Sequence, residues 1–192
     1  MTTRRHRAVA ALIPLALLTA CTVERTGAPT GESTPSVTPS VTPSFTPSFG
    51  APSVPEPLDD AVFQADPCAS LTPAQQAEFG EDDGTELSAA NGIRCAYTSV
   101  SVLYSNKDTG LSYLYGLRED GVWDLWEPFR LDGYPAVAHA QLGQDSCYVA
   151  VGLSDTRYFM VAVPTRRPGD DEACTRAREW AARVLETVKA AQ

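Results

Sequence analysis

The fold is decided by residues 147–163, which read CYVAVGLSDTRYFMVAV. Large apolar residues occupy every second position on both sides of a short polar segment, Ser154-Asp155-Thr156. Successive side chains of a β-strand point to opposite faces, so this alternation is typical of strands that bury one face. The stretch therefore predicts a β-hairpin with one buried face. That face consists of Cys147, Val149, Val151 and Leu153 on the first strand and Phe159, Val161 and Val163 on the second.

A long helix is predicted after this hairpin. Asp170, Asp171 and Glu172 stand at its start, where the positive end of the helix dipole favours carboxylates. Small and apolar residues then recur every three or four positions, so one side of the helix is expected to lie across the sheet. This side carries Ala173, Ala177, Trp180, Val184 and Val188.

Further strands are predicted upstream. Asp132-Gly133 is typical of a tight hairpin turn, and it separates Trp126–Leu131 from Tyr134–His139. Apolar alternation also predicts strand structure over residues 93–104. The alternation changes phase near Ser99, which indicates a bulge or a bend there.

Two short helices complete the predicted elements. Thr72 can cap the first helix, Pro73 suits its first position and Gly80 can end it. The second covers Leu111–Glu119 at helical apolar spacing, although its aromatic residues also permit a strand. We therefore expect an α+β fold, a mainly antiparallel sheet with helices on one face, including the C-terminal helix.

Residues 1–20 are predicted to be a lipoprotein signal peptide. Three arginines precede an apolar run, Ala8–Leu18, that is too short to span a bilayer. Leu18-Thr19-Ala20-Cys21 is similar to the bacterial lipobox, in which the cysteine thiol receives diacylglycerol. An ordinary secretory peptide with an incidental cysteine is the alternative. Lipidation of Cys21 would attach the protein to the outer face of the cell membrane, facing the extracellular or cell-wall space.

Residues 21–60 are predicted to form a disordered tether behind the lipidated cysteine. Thr-Pro-Ser occurs four times between Thr34 and Ser48, and proline at this density favours an extended chain without a core. Residues 61–192 are expected to form one folded domain, which is long enough for a self-sufficient hydrophobic core.

Four cysteines lie in the predicted domain: Cys68, Cys95, Cys147 and Cys174. An even number in an oxidising compartment argues for two disulfides. The first two and the last two are separated by the same number of residues, which favours Cys68–Cys95 and Cys147–Cys174 among the three possible pairings. Zinc is the alternative, but no two of these cysteines have the close spacing of a zinc knuckle, and no metal site is predicted.

Charge and motifs exclude several functions. The net charge of −9 becomes −12 when residues 1–20 are removed, because three arginines and no acid are lost, and this argues against nucleic acid as a partner. His139 is the one histidine of the mature chain, and the common hydrolase and phosphate-loop motifs are absent. We therefore predict no catalytic residue, no cofactor and no enzymatic activity. A carboxylate-dependent cell-wall hydrolase is the alternative, because carboxylate separation is decided only by the tertiary structure.

Aromatic residues are concentrated between Tyr104 and Tyr134. Most of them are expected in the core. The candidate binding residues are Tyr113, Trp123 and Trp126, since aromatic side chains supply contact area at low entropic cost. The predicted function is a non-catalytic binding module for an envelope protein or a small apolar ligand, and a purely structural envelope component is a further alternative.

A set of short motifs resembles a known family. They are Asp66-Pro67-Cys68, Leu71-Thr72-Pro73, Cys95-x-Tyr97, Gly133-Tyr134-Pro135-Ala136, Cys147 before a strand and Cys174 in the last helix. The chain resembles the actinobacterial lipoproteins grouped as domain of unknown function 3558, over residues Asp66 to Val188. Tyr97 stands where this family is expected to have tryptophan. The resemblance implies an envelope lipoprotein with no established activity and adds no catalytic residues.

Overall fold

The computed structural model describes residues 46–121, 123–165 and 171–192. The predicted signal peptide, Cys21, the tether up to residue 45 and Asp170 lie outside the described residues.

Seven strands and four helices are present in these residues. The strands are β1 (Thr85–Ala89), β2 (Gly92–Ala96), β3 (Ser101–Ser105), β4 (Trp123–Leu131), β5 (Tyr134–Gln141), β6 (Ser146–Gly152) and β7 (Tyr158–Pro164). The helices are α1 (Ala61–Ala65), α2 (Pro73–Phe79), α3 (Ser112–Arg118) and α4 (Asp171–Ala190), with a 3₁₀ turn at Pro67–Ser70. The strands form one antiparallel sheet in the order β1-β2-β3-β7-β6-β5-β4.

The predicted hairpin at residues 147–163 is confirmed as β6 and β7. Val149 lies opposite Val161 and Val151 lies opposite Phe159, so the alternating residues of both strands share one face. The helix α4 covers this face, and its Trp180 is fully buried. The main hydrophobic core therefore lies between α4 and the apolar side of the sheet.

The predicted turn at Asp132-Gly133 is also confirmed. Both residues have positive φ angles, 46° and 86°, which the tight turn between β4 and β5 requires. The phase shift near Ser99 is a complete chain reversal, because Ala96 lies opposite Ser101 and the Tyr97 N–H donates to Val100 O. The sequence pattern located this change of direction without identifying a separate hairpin.

The two predicted short helices are present as α2 and α3. In α2, the Thr72 hydroxyl accepts a hydrogen bond from Gln75 N–H, and Gly80 ends the helix at φ 69°. The α+β class, the antiparallel sheet and the C-terminal helix are confirmed. The expectation that the helices lie on one face was wrong for α3, because Leu114 and Tyr115 pack against Val137 and Ala150 on the sheet face opposite α4. No helix in the described part of the chain is long and apolar enough to cross a membrane.

Both predicted disulfides are confirmed. Cys68–Cys95 joins the 3₁₀ turn to β2, and Cys147–Cys174 joins β6 to α4, with Cα–Cα distances of 5.0 and 5.2 Å. Each disulfide therefore attaches a helical segment to the sheet on the α4 side.

The segment before α1 contacts the domain. Val54 is buried, and its N–H donates to Asp155 Oδ1 at 2.8 Å, while Leu58 N–H donates to Leu153 O. Ser48 N–H donates to the hydroxyl of Ser112 on α3. These contacts begin before residue 61, the predicted start of the folded part.

A substitution at Gly84 tests the packing around the Cys68–Cys95 disulfide. A Cβ atom at this position would overlap Cys95 Sγ and lie 2.8 Å from the Tyr97 ring, so Gly84→Ala is expected to lower the free energy of unfolding by about 1–3 kcal/mol. Urea unfolding monitored by circular dichroism measures the loss. In a Cys68→Ala/Cys95→Ala background the loss should become smaller, because the sulfur atoms are gone. An equal loss in both backgrounds would contradict the steric explanation.

Candidate functional site

The described residues cover only part of the sheet face opposite α4. The helix α3 packs over β5, β6 and the start of β7 through Val137, Ala150 and Tyr158. Strands β2, β3 and β7 continue beyond this helix, and the register places Ala96 opposite Ser101 and Ser101 opposite Ala162. Three small side chains thus lie side by side on neighbouring strands, and they leave a depression in the sheet surface.

This depression is an open groove of about 380 Å³, which we call the sheet groove. Arg94, Leu103 and Met160 form the next row of side chains across β2, β3 and β7, along one side of the small-residue floor. Tyr148 on β6 lies opposite Ala162 and so continues the row formed by Ala96, Ser101 and Ala162. The volume lies within the range of small-molecule sites. The described lining consists of Ala89, Asn91, Arg94, Ala96, Tyr97, Thr98, Val100, Ser101, Leu103, Ser146, Tyr148, Met160, Ala162 and Pro164.

Arg94 is the one charged side chain in the described lining of the sheet groove. It alternates with the buried Cys95 along β2, which directs its side chain to the groove face. The other polar side chains of the described lining are neutral: the amide of Asn91 and the hydroxyl groups of Tyr97, Thr98, Ser101, Ser146 and Tyr148. The groove therefore combines apolar side chains and neutral polar groups with a single positive charge.

An aromatic cluster lies beyond Tyr148 on the same sheet face. The Tyr148 ring stacks on the His139 ring, with the ring centroids 5.2 Å apart. The Trp123 ring meets the His139 ring edge-on, with the centroids 4.7 Å apart. Trp126 lies 5.4 Å from Trp123 and 5.1 Å from Tyr115 on α3. Tyr148 is thus shared between the aromatic cluster and the sheet groove.

The structure brings the three candidate binding residues together around α3. Trp123 and Trp126 are half-buried neighbours, and the Trp123 Nε1–H donates to Leu117 O at 3.2 Å. Tyr113 and Trp126 pack against the same small core beneath α3. Lys107 lies over the Tyr113 ring. None of the three is among the described residues that line the sheet groove.

His139 is buried within the aromatic cluster. Its side chain is on the groove face of β5, and neither ring nitrogen has a hydrogen-bond partner among the described residues. Burial lowers the pKa of His139 to about 4, because the charged imidazolium would lose its hydration. The imidazole is therefore neutral at pH 7 and packs as an aromatic ring.

Sequence reasoning missed the residues of the sheet groove. A usable signal was present, since Leu103, Tyr148 and Met160 are large residues at strand positions that the alternation assigns to the face away from α4. Strands that carry large apolar residues on both faces are expected to be covered on both. The partial cover by α3 could not be anticipated from these positions alone.

Comparison with known families matches residues 16–187 to a family described as protein of unknown function (DUF3558). The chain belongs to the DUF3558 family. The match extends over most of the domain, including both disulfides and the sheet groove. No curated protein matches the chain.

The described lining of the sheet groove in this DUF3558 domain carries hydroxyls, an amide and a guanidinium, but no carboxylate, imidazole or thiol. No group of three or more metal-ligating side chains occurs in the described residues. Three carboxylates, Glu78, Glu179 and Glu186, line a shallow depression between α2 and α4. Glu78 and Glu186 form ion pairs with Arg183 there, at 2.7 and 3.3 Å. Both are exposed ion pairs: the Glu78 pair connects α2 with α4, and the Glu186 pair lies within α4.

His139 gives the DUF3558 domain a specific pH dependence. The imidazole titrates near 6.5 in the unfolded chain and near 4 in the folded domain, so the unfolded state binds more protons between these values. The free energy of unfolding is expected to fall by about 3 kcal/mol as the pH is lowered from 6.5 to 4. Urea unfolding at a series of pH values measures this loss.

The matched control is His139→Phe, which keeps a ring and removes the titrating group. Carboxylates contribute to acid sensitivity in both proteins, so the difference between the two pH profiles isolates the histidine. At pH 7 the variant is expected to be at least as stable as the wild type, since neither ring nitrogen loses a described partner. Parallel profiles for the two proteins would contradict the assignment.

Proposed function

We propose that the protein is a lipid-anchored, non-catalytic binding module of the cell envelope that binds a small, largely apolar ligand in the sheet groove. The observation that carries this proposal is the groove in the part of the sheet face that the described residues leave uncovered. A floor of small residues, Ala96, Ser101 and Ala162, lies beside the apolar side chains of Leu103 and Met160. Apolar concavities with a few polar groups are the usual form of ligand sites.

The sheet hydrogen bonding favours a small ligand over an extended peptide. Each of β2, β3, β7 and β6 has a neighbouring strand on both sides, so their backbone groups are already paired. A peptide gains affinity from a sheet mainly by adding to a free edge, and the edges here are β1 and β4. The groove therefore supports recognition through side chains and apolar contact.

The chemistry of the lining supports binding rather than catalysis. Its hydroxyl groups have no described imidazole or carboxylate beside them in the groove to act as a general base. Glu78 and Glu186 both form ion pairs with Arg183 at the protein surface, and the Glu78 pair connects α2 with α4. The hydrolase alternative has no comparable support.

The envelope location is proposed from the lipobox-like Leu18-Thr19-Ala20-Cys21 and from the two disulfides, which are characteristic of oxidising compartments. Intact-mass spectrometry of the unreduced protein from its host membranes tests the location. The expected mass begins at Cys21 and includes a diacylglycerol and two disulfides. A chain without added lipid would refute the anchor.

Ligand binding is tested with the neutral fluorescent probe N-phenyl-1-naphthylamine. The full chain carrying Cys21→Ser avoids competing acyl groups, and the probe is expected to become brighter with saturation at one site. Ala162→Phe fills the floor of the groove and should raise the dissociation constant at least about tenfold, which corresponds to ~1.4 kcal/mol. Ala74→Phe, at an exposed position on α2, is the matched control and should leave binding unchanged.

Trp123→Ala separates the sheet groove from the candidate aromatic site. Unchanged probe binding in this variant, with loss in Ala162→Phe, would support the groove. Loss of probe binding in Trp123→Ala at an unchanged melting temperature would indicate that the ligand binds to the aromatic residues around α3. No saturable binding by the wild-type domain would refute the small-ligand proposal and leave protein contact or a structural role.

A further inference from the structure

We infer that the ligand of the sheet groove is a single-chain anionic lipid, whose head group is bound by Arg94 and whose acyl chain lies across β3 and β7 towards Tyr148. This inference rests on the proposed function and specifies its ligand. It depends on the charge state of the groove, on the partners of the arginines and on the dimensions of the floor.

Among the described arginines, Arg94 is the one without an ion pair, a hydrogen bond or a ring contact from its side chain. Arg157, Arg178 and Arg183 each form an ion pair with a carboxylate. Of the remaining described arginines, Arg118 lies over the Trp126 ring, Arg130 donates to Gly133 O and Arg176 donates to the Ser99 hydroxyl. Arg94 alone among the described arginines has no such contact. Its guanidinium is therefore available to a ligand.

The surroundings of Arg94 select an anion. The whole chain has a net charge of −9, yet the described lining of the groove contains this one cation and no acidic side chain. A guanidinium binds a carboxylate or phosphate through two parallel hydrogen bonds. An anionic head group is thus complementary to this end of the groove, and a cationic head group would be repelled.

The floor of the groove suits an extended chain. Arg94 lies on β2 and Tyr148 on β6, with β3 and β7 between them, which makes three strand spacings or about 14 Å. Leu103 and Met160 line this path, and the small residues of the floor leave room for it. The distance is comparable with the extended length of laurate, a saturated fatty acid anion.

The test compares laurate with dodecyltrimethylammonium, which has the same chain length and the opposite charge. Each is titrated below its micelle concentration into the Cys21→Ser chain loaded with N-phenyl-1-naphthylamine. Laurate is expected to displace the probe at a concentration about three- to tenfold lower than the cation, as for one charge-assisted contact at a solvent-accessible site. Arg94→Gln should abolish this difference, measured as the ratio of the two displacing concentrations after each is corrected for the affinity of the variant for the probe.

Arg130→Gln is the matched control, since it removes the same charge from an exposed position on the edge strand β4. It should retain the preference for laurate. Equal displacement by the two amphiphiles in the wild type, or an equal loss of preference in both arginine variants, would overturn the anionic-lipid inference while the apolar groove stands. Failure of the neutral probe itself to bind would instead refute the proposed function.

Discussion

Every second side chain of β6 and β7 must enter the space beneath α4, and this steric requirement governs the rest of the domain. Val149 and Val161 lie opposite each other and fill that space with Trp180. A shift of one residue in register would exchange the two faces of the sheet. The residues that alternate with these along the two strands, among them Tyr148 and Met160, are consequently directed to the opposite face.

The two faces of the sheet are stabilised in different ways. The α4 face has a continuous core and two disulfides, each of which connects a helical segment to a strand. On the opposite face, the described residues place the two-turn helix α3 and Ala51 over a small core. A face packed by a continuous core and linked by disulfides can thus support a partly open one, as a preformed ligand site requires.

The partly open face contains two adjoining environments. One is the aromatic cluster around His139, where burial keeps the imidazole neutral, and the other is the sheet groove with Arg94. Tyr148 belongs to both, because its ring stacks on His139 and its surface lines the groove. The packing of the cluster therefore sets the position of the groove wall at β6.

The local sequence was sufficient to predict the hairpin of β6 and β7, the turn at Asp132-Gly133, the capped helix α2 and the helix α4. These features depend on periodicity, capping and turn chemistry, which act between near neighbours along the chain. The separate strand β1, the docking of Val54 and the groove were not predicted. The groove depends on small residues from β2, β3 and β7 lying side by side, and on where α3 stops covering them. Such a juxtaposition is set by strand order and by long-range packing, which only the tertiary structure decides.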